Sequence, residues 1–311
     1  MTVPAPTVPA MTVAAQTVPV ADLIRAAAAR LREAGVDTPD HDAKLLLAHA
    51  AGREPRDVDK AMLMGETWTV PDGFDAMVAR RASREPLQYV TGHAPFRYLD
   101  LQVGPGVFIP RPETELVVQE GLDWLTAQHG LYSPRVVDLC AGSGAIGLAV
   151  ASEVPGAQVW AVELSERTAA WTKRNLEAVA RINPQVGYNY QLEIGDATSR
   201  GTLAALDGTV DLVISNPPYV PESQIPEQPE VRDHDPALAL YGGSADGTLI
   251  PERIIERAFA LLRPGGLFVM EHDIMQGDRL AAYAHVAGFA TAVTHNDYTG
   301  RPRYLTAEKG A

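Results

Sequence analysis

The chain has 311 residues, 46% of them apolar, and a formal net charge of −13. That length accommodates one large domain and a small one, and the acidity argues against a surface that displaces counterions from DNA or RNA. A single cysteine, Cys140, excludes an internal disulfide, no Cys/His cluster has metal-ligand spacing, and no apolar run reaches the roughly 20 residues of a membrane span. These features predict a cytoplasmic protein with no metal and no direct contact with nucleic acid or membrane. The charge is uneven: residues 21–92 hold 10 Lys/Arg and 12 Asp/Glu, residues 93–311 hold 16 and 27.

Residues 1–20 carry no charge and are rich in Pro, Thr, Val and Ala. They lack the basic start and continuous apolar stretch of a signal peptide and read as a disordered tail, with Met11 as a second candidate start. Residues 21–85 read as a helical domain. Leu23, Ile24, Ala27, Ala28 and Leu31 form a stripe closed by Gly35. Asp40 is a candidate cap for a second helix with Ala43, Leu46, Leu47 and Ala50 inward. A third is expected over Asp57 to Met64, and Pro71 is placed to open a fourth with Phe74, Met77 and Val78 buried. No strand pattern is visible there. Residues 86–111 alternate and are broken by Gly and Pro, which predicts a hairpin-like linker.

From residue 112 to 311 helices alternate with apolar strands. Strands are expected at Arg135–Leu139, Gln158–Glu163, Val210–Ser215 and Leu267–Glu271, with a closing pair near Ala290–Asn296 and Arg303–Thr306. That alternation predicts an α/β fold: a parallel sheet covered by helices on both faces.

Val136 to Gly147 places a glycine-rich turn between a strand and a helix, the end of such a sheet where ligands bind. Gly142, Gly144 and Gly147 match a dinucleotide fingerprint that fits NAD and S-adenosylmethionine about equally. Asp138, just before the turn, favours the second, whose amino-acid part carries an ammonium group. Glu163, at the next strand end, is placed to accept hydrogen bonds from ribose hydroxyls. Asp196 fits a third strand end, with Ala197 flanking the adenine.

Asn216-Pro217-Pro218-Tyr219, after the strand Val210–Ser215, is more specific. Two prolines hold φ near −65° and donate no hydrogen bonds, so the turn is stiff and the Pro217 carbonyl is exposed to a ligand. The Asn216 side-chain oxygen and that carbonyl can accept both N–H bonds of a planar NH2 group, while Tyr219 packs on its flat face. Transfer of a methyl from a sulfonium needs positioning and fixed dipoles rather than a metal. By itself this turn leaves two acceptors open, an amide or a nucleobase amine.

These residues resemble the bacterial peptide chain release factor N5-glutamine methyltransferases, over most of the chain from residue 20. Further matching segments are Glu85–Gly92, Phe108–Glu115, Val231–Leu240, Gly242-Gly243, Asp246-Gly247 and Leu262–Leu267. The resemblance implies a Rossmann-like, seven-stranded class I methyltransferase domain with a small all-helical N-terminal domain that grips the protein substrate. It implies S-adenosylmethionine as cofactor and the glutamine of a release factor's Gly-Gly-Gln loop as acceptor, tuning translation termination; a monomer is the expected state. Phe108, Asp138, Cys140, Ala141, Gly142, Ser143, Gly144, Glu163, Asp196, Ala197 and Asn216 would bind the cofactor. Asn216 to Tyr219 would hold the glutamine and carry the catalysis, with Pro110 walling the site beside Phe108. Two positions depart from the family pattern: Glu163 replaces the commoner Asp, and Cys140 a frequent Gly, where a small buried residue is expected rather than a reactive thiol.

Three other readings carry less weight. An adenine-N6 methyltransferase would need a basic recognition face that the sequence lacks. A noncatalytic docking protein leaves the intact turn unexplained. A dehydrogenase would need a hydride-transfer site that Asn-Pro-Pro-Tyr does not supply.

Overall fold

A computed structural model describes residues 17–311. Contacts divide the chain into two units, the boundary falling between Thr91 and Gly92. In the first unit, β1 (Thr17–Pro19) leads into α1 (Val20–Glu33), α2 (Pro39–Ala50) and α3 (Pro55–Met64). Then come β2 (Thr67–Thr69), α4 (Phe74–Ala82) and the short α5 (Leu87–Thr91). The stripe expected on α1 is buried, as are Ala43, Leu46 and Leu47 of α2 and Phe74 and Val78 of α4.

Four local expectations change. The unit is not wholly helical, because β1 and β2 pair antiparallel. Thr17 to Val20, assigned to a disordered tail, form β1 and the start of α1; residues 1–16 and Met11 lie outside the described residues. Asp40 is inside α2, whose cap position is Thr38, and Pro71 precedes α4 by a turn, with Gly73 as its cap. Leu87–Thr91 is helical, so the hairpin character belongs only to the strands that follow.

The second unit begins with that hairpin, β3 (His93–Phe96) and β4 (Leu99–Gln102), followed by α6 (Thr114–Ala127). Next come β5 (Arg135–Leu139), α7 (Ala145–Glu153), β6 (Gln158–Glu163), α8 (Glu166–Ile182), α9 (Pro184–Asn189), β7 (Tyr190–Ile194) and β8 (Val210–Ser215). The chain continues through α10 (Pro229–His234), α11 (Ala237–Leu240), α12 (Leu249–Leu261), β9 (Leu262–Glu271), α13 (Gly277–Ala287), β10 (Phe289–Asn296) and β11 (Pro302–Lys309).

Seven strands form one sheet in the order β10-β11-β9-β8-β5-β6-β7. The run from β9 to β7 is parallel, and β11 joins both β9 and β10 antiparallel. Alternate side chains enter opposite cores, because successive strand residues point to opposite faces. Val136, Leu212 and Val269 pack with α6 and α7 on one face. Val137, Val213 and Phe268 pack with α12 and α13 on the other. The chain starts at β5, moves outward to β6 and β7, and returns to β8 and β9 on β5's other side. A switch of this kind opens a crevice beyond the strands' carboxyl ends.

A buried ion pair braces the helical unit. Arg81 Nε donates to Asp42 Oδ2 at 2.7 Å, and Thr38 Oγ1 donates to Asp42 Oδ1 at 2.9 Å. Removing one partner strands the other charge in a dry site, at a cost of about 3–5 kcal/mol. Asp42→Ala is expected to lose about 3 kcal/mol or more of stability in urea denaturation of the whole chain, whereas Asp59→Ala, at an exposed pair with Lys44, should lose less than about 1 kcal/mol.

Candidate functional site

The crevice beyond β5, β6 and β8 holds a cavity of about 280 Å³. Of the residues expected to bind cofactor, Phe108, Cys140, Ala141, Gly142, Ser143, Glu163, Asp196, Ala197 and Asn216 line it. So do Pro110, Pro217, Pro218 and Tyr219. Two do not. Gly144 is the cap residue of α7, one step behind the wall. Asp138, fully buried, lies under the turn, where its Oδ2 accepts from the Gly147 N–H at 2.9 Å. One oxygen thus supports the turn's backbone, while Oδ1 is buried with no partner among the described residues; a contact with a ligand ammonium stays a proposal.

The turn's sequence follows from its backbone. Cys140, Gly142 and Gly144 have φ of 68°, 59° and 86°, a left-handed region that L side chains enter at a cost. A glycine would relieve Cys140, which accounts for the commoner residue there. Gly147 has ordinary helical geometry, but a Cβ would stand 2.9 Å from the Tyr190 ring and 3.0 Å from Asp138 Oδ2. Its role is close packing of α7 on the sheet. Burial pushes the Cys140 thiol well up, consistent with a packing residue rather than a nucleophile.

Glu163 grips the turn from β6. Its Oε2 accepts from the Gly142 N–H at 2.9 Å and its Oε1 from the Ser165 N–H at 2.8 Å. Burial raises its pKa and these backbone bonds oppose the shift. Each carboxylate oxygen retains lone-pair capacity for a hydroxyl in the cavity. Asp196 is exposed and its Oδ1 is engaged by the N–H and hydroxyl of Thr198, at 2.8 and 2.7 Å. It is a turn acid on the cavity rim, with Ala197 buried beside it.

Asn216 follows β8 directly. Its Nδ2 donates to Thr114 Oγ1 at 3.1 Å, which turns Oδ1 away from Thr114. Thr114 Oγ1 donates to Glu271 Oε2 at 2.7 Å, and the Tyr219 hydroxyl donates to Glu271 Oε1 at 2.8 Å. The Tyr219 carbonyl accepts from Gln276 Nε2 at 2.9 Å, and the same nitrogen donates to the Asp246 carbonyl at 2.8 Å. Gly247 passes so close that a Cβ would lie 2.2 Å from the Tyr219 oxygen, at a φ of 73°. Among the described residues no donor meets Asn216 Oδ1 or the Pro217 carbonyl.

One further tie closes the outer wall. Arg111 Nη2 donates to Asp235 Oδ2 at 2.5 Å, and the guanidinium carbon lies 4.8 Å from the centre of the Phe108 ring. Burial pushes the Asp235 pKa up to about 6, with Arg111 opposing it. This pair joins the segment bearing Phe108 and Pro110 to the segment Pro236–Leu240 across the cavity mouth.

Sequence reasoning assigned no role to Thr114, Glu271, Gln276, Arg111 or Asp235. Thr114, Arg111 and Asp235 do lie in the motif segments quoted above. Glu271 carried one readable signal: an acid closing an apolar strand, as Glu163 closes β6.

A parallel sheet with this strand order, a left-handed glycine turn after its first strand, and a rigid Asn-Pro-Pro-Tyr turn after its fourth define a class I methyltransferase. Residues 22–92 match the family described as PrmC N-terminal domain, and residues 88–239 match that described as Conserved hypothetical protein 95. The release factor glutamine methyltransferase of Bifidobacterium longum (strain NCC 2705) is 69% identical over 93% of this chain and 99% of its own. That of Streptomyces coelicolor is 47% identical over 92% and 96%. A 4-amino-L-phenylalanine/4-methylamino-L-phenylalanine methyltransferase of Streptomyces pristinaespiralis is 39% identical over 83% and 84%. The chain belongs to the release factor glutamine methyltransferase family.

Asp138 gives the site a pH signature. Burial raises its pKa to about 7, against the bond from Gly147. An acid that is harder to ionise when folded keeps its proton between about pH 4 and 7 while the unfolded chain has lost it. Its contribution to stability therefore falls as pH rises, by up to about 1.4 kcal/mol per unit. Asp138→Asn retains an acceptor for Gly147 and cannot ionise. Relative to wild type it is expected to gain about 2 kcal/mol between pH 5 and 7, measured by urea denaturation; parallel stability profiles would contradict the assignment.

Proposed function

We propose that this protein transfers the methyl group of S-adenosylmethionine to the N5 side-chain amide of the glutamine in the Gly-Gly-Gln motif of peptide chain release factors. The observation that carries this reading is the pair of unengaged acceptors, Asn216 Oδ1 and the Pro217 carbonyl, on a stiff turn lining the same cavity as the glycine turn. The 69% identity to a release factor glutamine methyltransferase favours this acceptor over other planar amines. The relative acting on 4-amino-L-phenylalanine supports the broader point that the scaffold suits a conjugated NH2 group.

The cavity residues fit the cofactor. Glu163 can accept from ribose hydroxyls, Ala197 and Leu164 present apolar surface to a flat base, and the turn from Cys140 to Ser143 brings backbone close to the ligand. When bound, S-adenosylmethionine supplies an electrophilic methyl carbon on a positively charged sulfur.

Amide nitrogen is a weak nucleophile because its lone pair is delocalised. Asn216 Oδ1 and the Pro217 carbonyl accept its two N–H bonds, withdraw proton density, and hold the nitrogen at a fixed angle. Tyr219 packs on the amide plane, and Phe108 and Pro110 wall the approach. The displaced proton leaves past these acceptors to solvent, with no side chain acting as a general base. The first unit, residues 17–91, would grip the release factor outside the loop. Action as a monomer is part of this proposal, and the single cysteine agrees with a cytoplasmic setting. Among the described residues, no helix is long and apolar enough to cross a membrane.

Incubation with S-adenosylmethionine and a Gly-Gly-Gln release factor should add one methyl mass to the glutamine-bearing peptide, read by mass spectrometry. An unmodified peptide beside methylated DNA would overturn the reading. Asn216→Ala is expected to lower kcat by about two orders of magnitude or more, with a smaller loss of cofactor affinity; near-normal turnover would remove Asn216 from its role.

A further inference from the structure

We propose that Glu271 is a positioning residue: acting through Thr114, its carboxylate fixes which edge of the Asn216 amide faces the substrate. The inference rests on the reading of Asn216 as a holder of the acceptor NH2, and deepens it.

An ionised carboxylate only accepts hydrogen bonds. Glu271, at the carboxyl end of β9 and 1% exposed, receives the Thr114 hydroxyl on one oxygen and the Tyr219 hydroxyl on the other. A hydroxyl has one proton. With that proton directed at Glu271, Thr114 meets Asn216 with lone pairs alone, so Asn216 must present its NH2 at that edge, as the 3.1 Å contact has it. A reversed amide would set oxygen against oxygen at Thr114 and, on the other side, N–H against the N–H bonds of the substrate. The chain of bonds is thus polar in one direction, and the charge on Glu271 sets that direction. A neutral side chain of the same shape would leave both directions open.

The same anion holds both ends of the four-residue turn, Asn216 through Thr114 and Tyr219 directly. Burying a charge is costly, and the reaction makes no other use of this one. Burial pushes the Glu271 pKa up; the hydrogen bonds from Thr114 and Tyr219 and the charge of Arg303 oppose that shift, and Glu113 adds to it. What supports the ionised form here is the geometry: a hydroxyl meets each carboxylate oxygen, at 2.7 and 2.8 Å.

Glu271→Gln preserves shape and removes the directional rule. Thr114→Val removes the relay, and Thr114→Ser retains it. With the Gly-Gly-Gln substrate, Glu271→Gln and Thr114→Val are expected to lower kcat at least about tenfold while S-adenosylmethionine affinity, measured by calorimetry, stays within about threefold. Thr114→Ser should recover most of what Thr114→Val loses. In an Asn216→Ala background Glu271→Gln should lower kcat by a clearly smaller factor than it does in the wild type, the remainder acting through Tyr219, because residues acting as one unit are not additive. A second readout is independent of turnover: the side-chain NH2 resonance of Asn216, identified by its loss in Asn216→Ala, should shift in Glu271→Gln and Thr114→Val and hold in Thr114→Ser. Full activity in Glu271→Gln, an undiminished effect in the Asn216→Ala background, or an unmoved Asn216 resonance would each overturn the proposal. A wild-type protein that methylates no glutamine would overturn the proposed function and leave the resonance test standing.

Discussion

A carboxylate removed from water has to be met by donors, and Glu271 is met by two from distant parts of the chain. Thr114 opens α6, and Tyr219 ends the turn after β8. Losing either donor would leave part of a buried charge unsatisfied, so the two loops are fastened to β9 more firmly than exposed loops usually are. Gln276 does the converse with its NH2 group, drawing together the carbonyls of Tyr219 and Asp246. A site assembled from connecting segments gains the stiffness of the sheet behind it.

The sheet decides where these fastenings meet. Because β8 lies between β5 and β9, the Asn-Pro-Pro-Tyr turn emerges beside the glycine turn on one side and Glu271 on the other. Glu163 at the end of β6 completes the row. Acids at the carboxyl ends of neighbouring parallel strands do three jobs. Asp138 supports the backbone from beneath, Glu163 ties the turn while facing the cavity, and Glu271 orients the opposite wall. Their side chains differ little; what separates them is the donors each one meets.

Much of this was legible in the sequence where burial on both faces leaves an unbroken apolar run, as in Val210–Ser215. The Asn-Pro-Pro-Tyr turn was legible because its chemistry is local. The β1–β2 pair was not: three-residue strands are too short to show alternation, and Thr-Trp-Thr gains its order from pairing with Thr17–Pro19. The support that Asp138 gives its own turn was illegible for a related reason. A strand-end acid can face a ligand or the underside of its own turn, and only the packing of Gly147 decides. Thr114 and Glu271 lie 102 and 55 positions from Asn216, outside any motif window, and an isolated Thr or Glu carries no mark of its partner.

Cys140 has a consequence beyond the site. It is the only cysteine in the chain, it is held in a tight left-handed turn, and burial pushes its thiol pKa up. Thiol reagents attack the thiolate, so Cys140 offers them a poorer target than an exposed cysteine would. A cysteine placed at an exposed position, such as Leu63 in the first unit or Tyr298 in the second, would therefore react ahead of Cys140. The protein can accept site-specific fluorophores or spin labels without first removing its own sulfur, which makes the separation of its two units measurable in solution.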